Sequence, residues 1–232
     1  MNWLTRLWRR PLLDAGQRRI LEHYRGLPRL PGDTPLAPQR IVVVDVETTG
    51  LDPLNDRLLS IGTVDLHAGR LLPGSAFSVV LRQPSVSAPG NILVHGIDGG
   101  TQLSGSDPAQ SLLDFMVHAD NAPLAGYHAD FDRLMISRAI EQTLGAHLHN
   151  PWLDLAWLAP ALMPLPPAMK ATLDDWIARY GIVNDSRHDA VADAAATAQL
   201  LQVALAAAAS KGIFSLAEWQ RLERDQRWLG RR

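Results

Sequence analysis

The chain has 232 residues, with 47% hydrophobic and 20% charged side chains and a formal net charge of −2. This is the ordinary balance of a soluble globular protein. The chain contains no cysteine, which excludes disulfide bonds and thiolate metal sites. Any bound metal ion must therefore have oxygen or imidazole ligands, which favours hard cations such as Mg²⁺ or Mn²⁺ over structural zinc.

Basic residues are concentrated at the two ends of the chain. Residues 1–40 carry eight arginines and three acidic residues, residues 41–212 carry nine basic and eighteen acidic residues, and residues 213–232 carry five arginines and three acidic residues. Two interpretations stand. The basic ends steer a polyanion toward an acidic, metal-loaded centre, or they are ordinary solvated termini.

The first 38 residues are predicted to form a helical extension and a linker. Apolar residues recur at helical spacing at the start of the chain, at Trp3, Leu4, Leu7 and Trp8. A second helix is predicted over Leu12–Tyr24, and the stretch that follows is rich in glycine and proline. The compact domain is expected to cover residues 39–212, followed by a C-terminal helix in residues 213–232 that packs on the domain or on the extension.

The sequence favours a cytoplasmic protein without membrane contact. Met1–Arg10 lacks the continuous apolar run of a signal peptide, because three arginines interrupt it. The most apolar tract, residues 194–209, is rich in alanine and is interrupted by polar residues. It predicts a buried helix rather than a membrane span.

Three strands with short connections are predicted at the start of the domain. They cover Ile41–Val46, Arg57–Leu66 and Ala76–Leu81, where β-branched and apolar residues are concentrated. Short connections favour an antiparallel meander. A polar, glycine-rich stretch that includes residues 95–100 follows and is interpreted as irregular.

Helices and short strands alternate in the rest of the domain. Helices are predicted over residues 107–119, 131–145, 172–180, 189–209 and 215–228, and strands over residues 123–127 and 152–155. A meander followed by alternating helix and strand predicts an α/β fold with a mixed five-stranded sheet flanked by helices.

Two carboxylates stand near the end of the first predicted strand. Asp45 and Glu47 are two residues apart in Val44-Asp45-Val46-Glu47-Thr48-Thr49-Gly50, so both side chains point to the same face of the strand. Like charges on one face repel unless a proton or a cation lies between them. The pair therefore indicates a site for a divalent metal ion.

Two further acidic positions could complete such a site. Gly126-Tyr127-His128-Ala129-Asp130-Phe131-Asp132 ends a short strand and opens a helix, and His188-Asp189-Ala190-Val191-Ala192-Asp193 starts the longest helix. An aspartate in the first turn of a helix commonly only caps it or complements its dipole. Taken singly, Asp132 and Asp193 favour that structural interpretation.

The three segments together resemble the motifs of the DEDDh 3′–5′ exonucleases. The first motif is Val44–Gly50, the second ends in Phe131-Asp132, and the third is His188 and Asp193 separated by four residues. The resemblance covers residues 40–210 and implies a ribonuclease H-like fold. Val94-His95-Gly96-Ile97 is also similar to a segment of members like the proofreading epsilon subunit of bacterial replicative DNA polymerase.

The resemblance implies a two-metal phosphodiesterase. Asp45 would bridge two Mg²⁺ or Mn²⁺ ions, and Glu47, Asp132 and Asp193 would complete their coordination. His188 would be the general base that takes a proton from the attacking water, since imidazole titrates near neutral pH. The competing interpretation is that His188 only caps or packs the helix.

The resemblance also implies substrate-binding residues. Thr48, Thr49 and Gly50 would line the pocket of the terminal nucleotide, although Gly50 also fits a plain turn. His95 would lie near the same nucleotide, or would be a histidine of a surface loop.

The second motif departs from the family pattern. Tyr127-His128 stands where the family usually has His-Asn, which puts the positioning of the substrate strand in doubt. Asp130 is a rival to Asp132 as the carboxylate of this motif. Asp154, after the fifth strand, is interpreted as structural and not as a metal ligand.

The leading hypothesis is a metal-dependent 3′–5′ exonuclease that acts on the 3′ end of single-stranded DNA or RNA, with DNA favoured by the His95 segment. The alternatives are an exoribonuclease and a catalytically weak module that binds nucleic acid or a polymerase. Four tryptophans flank the domain, at Trp3, Trp8, Trp219 and Trp228. They could pack the two terminal segments together, stack on bases or dock a protein partner such as a polymerase.

Overall fold

The computed structural model describes residues 13–72, 74–166 and 171–230. Within them the chain forms six strands: β1 (Arg40–Thr48), β2 (Leu58–His67), β3 (Arg70–Leu71), β4 (Phe77–Val80), β5 (Leu124–Gly126) and β6 (Trp152–Asp154). The helices of the same residues are α1 (Ala15–Gly26), α2 (Pro89–His95), α3 (Gly99–Ser104), α4 (Pro108–Ala119), α5 (Ala129–Leu144), α6 (Leu155–Leu162), α7 (Leu173–Tyr180), α8 (Ala190–Ser210) and α9 (Leu216–Leu229). The helix predicted around Trp3 and Trp8 lies outside the described residues.

The strands form one mixed sheet. Its order is β3-β2-β1-β5-β6, and β4 also pairs with β2. Strand β2 is antiparallel to β1, β3 and β4, whereas β5 runs parallel to both β1 and β6. Because β3 and β4 share one edge of β2, the sheet is five strands wide, which confirms the predicted mixed five-stranded sheet. The two-residue strand β3 was not predicted.

The alternation of β1 divides the core into two layers. Ile41 and Val43 point to the layer of α6, α7, α8 and α9, whereas Val42 and Val44 point to the layer of α1, α4 and α5. Asp45 continues the first series, since side chains alternate along a strand. It therefore faces the layer that contains α8.

Helix α8 is the central helix of this layer. Among the described helices it is the one long and apolar enough to cross a membrane, judged by length and composition. Its residues Ala194, Ala198 and Leu201 are fully buried, and the helix packs on β1 and β2. Because its apolar side chains are buried against the sheet, α8 is the core helix of the domain.

Gly62 lets α8 approach the sheet closely. This glycine lies on β2 directly opposite Asp45, and a β-carbon at its position would overlap the backbone of Ala190 and Val191. The first turn of α8 is thereby held against the sheet beside Asp45.

The N-terminal and C-terminal segments meet beside the domain. The segment before β1 hydrogen-bonds to the start of α9, where the amides of Leu216 and Ala217 donate to the carbonyls of Thr34 and Gly32 at 2.9 and 2.7 Å. Helix α9 packs on α6 and β6, and α1 packs on α4. Trp219 of α9 is buried in the core.

Two segments differ from the prediction. The stretch interpreted as irregular forms α2 and α3, because Pro89 is favourable in a first helical turn and the Asp98 side chain accepts the Thr101 amide at 3.0 Å as a cap. Helix α6, which contains Pro160, was not predicted. The Asp154 side chain caps it at the Ala156 amide, and its apolar residues are buried.

Candidate active site

A cavity of about 620 Å³ opens at the end of β1, between α2, α5 and the loop before α8. It is lined by eight of the nine residues that the sequence predicts as site residues: Asp45, Glu47, Thr48, Gly50, His95, Asp132, His188 and Asp193. These residues come from four separate segments of the chain. The fold therefore brings the three motifs to one place.

Three carboxylates lie close enough to share a cation. Asp45, Glu47 and Asp193 each offer an oxygen, and these oxygens lie within 4.8 Å of one another. Strand alternation supplies the first two, and the approach of α8 over Gly62 supplies the third. The start of α8 is fixed by Asp189, whose side chain accepts the Ala192 amide at 2.9 Å.

Asp132 enters the site from the opposite layer of the fold. It lies in the first turn of α5, is buried, and accepts the Val46 amide at 3.1 Å through Oδ1. Strand β1 pairs with β5 at Val42 and Val43, and Val46 lies beyond this pairing. The hydrogen bond fixes Asp132 to β1 beside Asp45.

Burial and mutual repulsion make these carboxylates costly to ionise. Burial, followed by the charges of Asp132, Asp193 and Glu47, raises the pKa of Asp45 well above its usual value. Burial and then the charge of Asp193 raise the pKa of Glu47 to about 8. Burial raises the pKa of Asp132 to about 8. A bound cation would relieve this cost.

The donor set fits a hard divalent ion. All four side chains are carboxylates, and oxygen ligands of this kind suit Mg²⁺ and Mn²⁺. The raised pKa values of three of them, Asp45, Glu47 and Asp132, indicate that the described residues compensate the negative charge here only in part.

His188 lies in the loop before α8, at the mouth of the cavity. Its side chain is exposed, and its φ of 64° is in the left-handed region that non-glycine residues rarely adopt. Its backbone amide donates to Asp193 Oδ2 at 3.1 Å. The position of His188 is therefore tied to a candidate metal ligand, and the imidazole is free to reach the cavity.

Asp130, the rival of Asp132, lies on another side of α5. It pairs with Arg133 at 3.1 Å and with Arg227 of α9. It does not line the carboxylate cavity. The geometry therefore favours Asp132. Asp154 is buried and pairs with Arg227 at 3.0 Å besides capping α6, so its contacts are structural.

His95 is buried at the end of α2, so the alternative of a surface-loop histidine is wrong. Its Nδ1 accepts the Ile97 amide at 3.0 Å, which leaves the proton of the neutral ring on Nε2. Burial lowers the pKa of His95 and so favours this neutral form. Its buried Nε2 has no hydrogen-bond partner among the described residues.

Thr48 and Thr49 have different surroundings. Thr48 lines the cavity and donates from Oγ1 to the carbonyl of Gly50 at 2.6 Å. Thr49 does not line the cavity, because its hydroxyl is bonded to Asp56 at 2.8 Å and to the amide of Arg57 at 2.9 Å. The Thr49 hydroxyl thus holds the turn after β1, and contact of Thr49 with the terminal nucleotide stays a prediction.

Tyr127 and His128 both line the cavity. Their rings meet edge to face with centroids 5.1 Å apart. The Tyr127 hydroxyl donates to the carbonyl of Ala171, so Tyr127 is held by the segment before α7. His128 precedes α5 with a left-handed φ of 60°, and it is exposed. The departure from the family pattern thus places an aromatic ring and an imidazole on the cavity wall.

Sequence reasoning missed Asn91, Leu51 and Arg187. Asn91 lines the cavity and donates to the Thr49 carbonyl. Leu51 also lines it and is 86% exposed. Arg187 bonds to Asp193. The only available signal was adjacency, since Leu51 follows Gly50 and Arg187 precedes His188.

Known proteins similar to this chain share both its sequence pattern and its fold. The model of the RNase T family, described as exonuclease, matches residues 42–201. A DNA polymerase III subunit epsilon-like protein of Rhodobacter capsulatus is 30% identical over 184 residues, which cover 78% of this chain. The chain spans only 26% of the length of that relative.

Solved exonuclease structures are similar in fold. E. coli exonuclease I in complex with a dT13 oligonucleotide has a TM-score of 0.62 at 20% identity, covering 74% of this chain and 42% of that one. Exonuclease X in complex with 5′ overhanging duplex DNA has a TM-score of 0.58 at 18% identity, covering 79% of this chain and 99% of that one. At these identities the likeness shows the ribonuclease H-like fold.

Proposed function

The chain belongs to the RNase T family of DEDDh 3′–5′ exonucleases, and from that premise we propose that it is an active, metal-dependent exonuclease. It would hydrolyse the terminal phosphodiester bond at nucleic-acid 3′ ends and release nucleoside 5′-monophosphates, with DNA preferred over RNA. One observation carries the proposal. Carboxylate oxygens of Asp45, Glu47 and Asp193 lie within 4.8 Å of one another in the cavity, which Asp132 and His188 also line.

The four carboxylates would hold two Mg²⁺ or Mn²⁺ ions. Asp45 is the most central of them, since the charges of all three others act on it. When bound, the ions would neutralise charge at the scissile phosphate and lower the pKa of the attacking water. The carboxylates themselves orient the site, because two are fixed on β1 and the others on the first turns of α5 and α8.

His188 would take the proton of the attacking water. A general base must come within hydrogen-bond distance of the water whose proton it takes, and it must be able to move away afterwards. An exposed side chain at the mouth of the cavity meets both needs, and the amide bond to Asp193 keeps its backbone near the carboxylates.

The wall on the α2 side would bind the terminal nucleotide. The neutral imidazole of His95 offers one N–H donor that no described residue uses. Val94 and Leu51 give apolar surface beside it, against which a base can pack. Thr48 and Gly50 line the same wall.

The preference for DNA is supported by the relatives. The Rhodobacter capsulatus relative is named for DNA polymerase III, and exonuclease I and exonuclease X bind DNA in the structures above. A polymerase partner that docks through the termini would be consistent with the first of these names.

The test is cleavage of matched 5′-labelled single-stranded DNA and RNA oligonucleotides with Mg²⁺ or Mn²⁺. We expect a ladder that shortens from the 3′ end, faster on DNA, and no ladder with Asp45→Ala. If the wild type gives no ladder on either substrate, the proposal is wrong. Retained binding of the oligonucleotides in that case would favour the catalytically weak binding module.

A further inference from the structure

Asp193, one of the three clustered carboxylates, is already bonded to a positively charged side chain. Its Oδ1 accepts hydrogen bonds from Arg187 Nη1 and from Asn184 Nδ2, the latter at 2.5 Å. Its Oδ2 accepts the backbone amide of His188 at 3.1 Å. The chain therefore uses both oxygens of a proposed metal ligand.

Arg187 is held from outside the carboxylate cluster as well. Its Nε lies 2.9 Å from Asp174 Oδ1 on α7, and the Arg187 side chain is 34% exposed against 66% for Asp174. The Arg187 charge also acts to lower the pKa of Asp45 and of Glu47. It thus bonds directly to Asp193 and acts on Asp45 and Glu47 in the direction in which a bound cation would act.

On the basis of the proposed function, we infer that Arg187 is an internal counter-ion which a divalent ion displaces from Asp193. A metal ion that binds Asp193 through Oδ1 must compete with the two donors on that oxygen. Arg187 therefore sets the affinity of the metal site without being a metal ligand, and it is a positioning residue.

Binding of a metal ion to Asp193 also affects His188. Arg187 and His188 are neighbours in the chain, and the amide of His188 is bonded to the other oxygen of Asp193. The left-handed φ of His188 makes this backbone conformation unfavourable unless its surroundings hold it. A metal ion that takes over the oxygens of Asp193 therefore also releases the contact that fixes the backbone of the proposed general base.

The experiment is calorimetric titration of Mn²⁺ into wild type and Arg187→Gln without nucleic acid. A partly exposed ion pair contributes up to about 1 kcal/mol, so we expect Arg187→Gln to bind Mn²⁺ about threefold to fivefold more tightly. Arg187→Lys, which keeps the charge, should stay within about twofold of wild type. Arg179→Gln is the matched control, because Arg179 is exposed on α7 and lies over the Tyr180 ring; its affinity should be unchanged.

Weaker or unchanged Mn²⁺ binding by Arg187→Gln, in protein that melts cooperatively, would overturn the inference. Mn²⁺ binding by Arg187→Gln and not by wild type would support the inference. If neither protein binds Mn²⁺, the inference is wrong, and the cleavage assay on the wild type decides separately whether the proposed function fails too.

Hydrogen exchange gives a second readout. Addition of Mg²⁺ to the wild type should increase exchange of the His188 amide, because the metal takes over the oxygens of Asp193. Unchanged exchange at saturating Mg²⁺ would contradict the link to His188.

Discussion

The two ends of the β1–β2 pair treat carboxylates in opposite ways. At the start of β1, Arg40 lies 2.6 Å from Asp65, and His118 lies 3.1 Å from the other oxygen of the same carboxylate. Although burial acts to raise it, hydrogen bonds from His118 and Arg40 lower the pKa of Asp65. At the other end, the pKa values of Asp45 and Glu47 are raised.

The difference shows what each end is built for. A buried carboxylate that serves folding is paired and hydrogen-bonded by the chain, as Asp65 is. A cluster whose negative charge is compensated only in part is costly for folding and useful for binding cations. We call the first the paired end (Arg40, Asp65 and His118) and the second the carboxylate end (Asp45, Glu47, Asp132 and Asp193).

The largest expected effect is on activity at the carboxylate end. Asp45→Asn removes the carboxylate that all the other members of the cluster act on, and cleavage should fall on the order of 10³-fold. Without divalent ions the variant should also unfold at a higher urea concentration than wild type, because one repelling charge is gone. Single-turnover cleavage and urea denaturation measure the two effects; a variant that loses activity and stability together would contradict this interpretation.

A smaller loss of activity is expected when α8 is moved. Gly62→Ala places a β-carbon against the backbone of Ala190 and Val191, so the first turn of α8 and Asp193 must shift. Cleavage should fall about 10-fold to 100-fold, and the free energy of unfolding by about 1–3 kcal/mol. Gly26→Ala is the matched control, since nothing lies within 4 Å of a β-carbon there. Equal activity of the two variants would show that Gly62 does not position the site.

Asp65→Asn should affect stability and not catalysis. Removal of the charge leaves Arg40 and His118 without their partner, and we expect the free energy of unfolding to fall by about 2 kcal/mol. This is less than for a fully buried pair, because the Arg40 side chain is 30% exposed. Urea denaturation measures the loss. A cleavage rate more than about twofold below wild type would mean that the two ends are coupled.

The last expected effect is the dependence of stability on pH without divalent ions. The pKa of Glu47 is raised from 4.5 to about 8, so the folded state holds a proton that the unfolded state has lost between these values. The stability from this group is complete below pH 4.5 and is lost as the pH rises through about 8. We expect a fall of about 2 kcal/mol, reduced by solvent screening.

At the paired end, stability depends on pH with the opposite sign. The pKa of Asp65 is lowered from 3.8, so its stability is present above that pH and is lost as the pH falls through the folded-state value. Urea denaturation from pH 3 to 9 with wild type and Asp65→Asn separates the two ends. Mg²⁺ should flatten the alkaline slope alone; a slope that Mg²⁺ leaves unchanged would place its origin elsewhere.

Local patterns predicted most of the fold, whereas the residues that meet at the cavity were named through the resemblance to the exonuclease family. Strand alternation placed Asp45 and Glu47 on one face, and helix signals placed Asp132 and Asp193 in first turns, as observed. The paired end was not predicted, because Asp65 and His118 are 53 residues apart and no local pattern links them. For the same reason the contacts of Arg187 were missed, since they depend on how α7 and α8 pack.

Titration of Mn²⁺ into wild type, Asp45→Asn and Asp65→Asn tests the central claim most directly. The claim is that the carboxylate end exists to bind divalent ions, whereas the paired end is complete without them. We predict two bound ions in wild type and in Asp65→Asn, and loss of at least one of them in Asp45→Asn. Equal binding by Asp45→Asn and wild type, or loss of binding in Asp65→Asn alone, would contradict the claim.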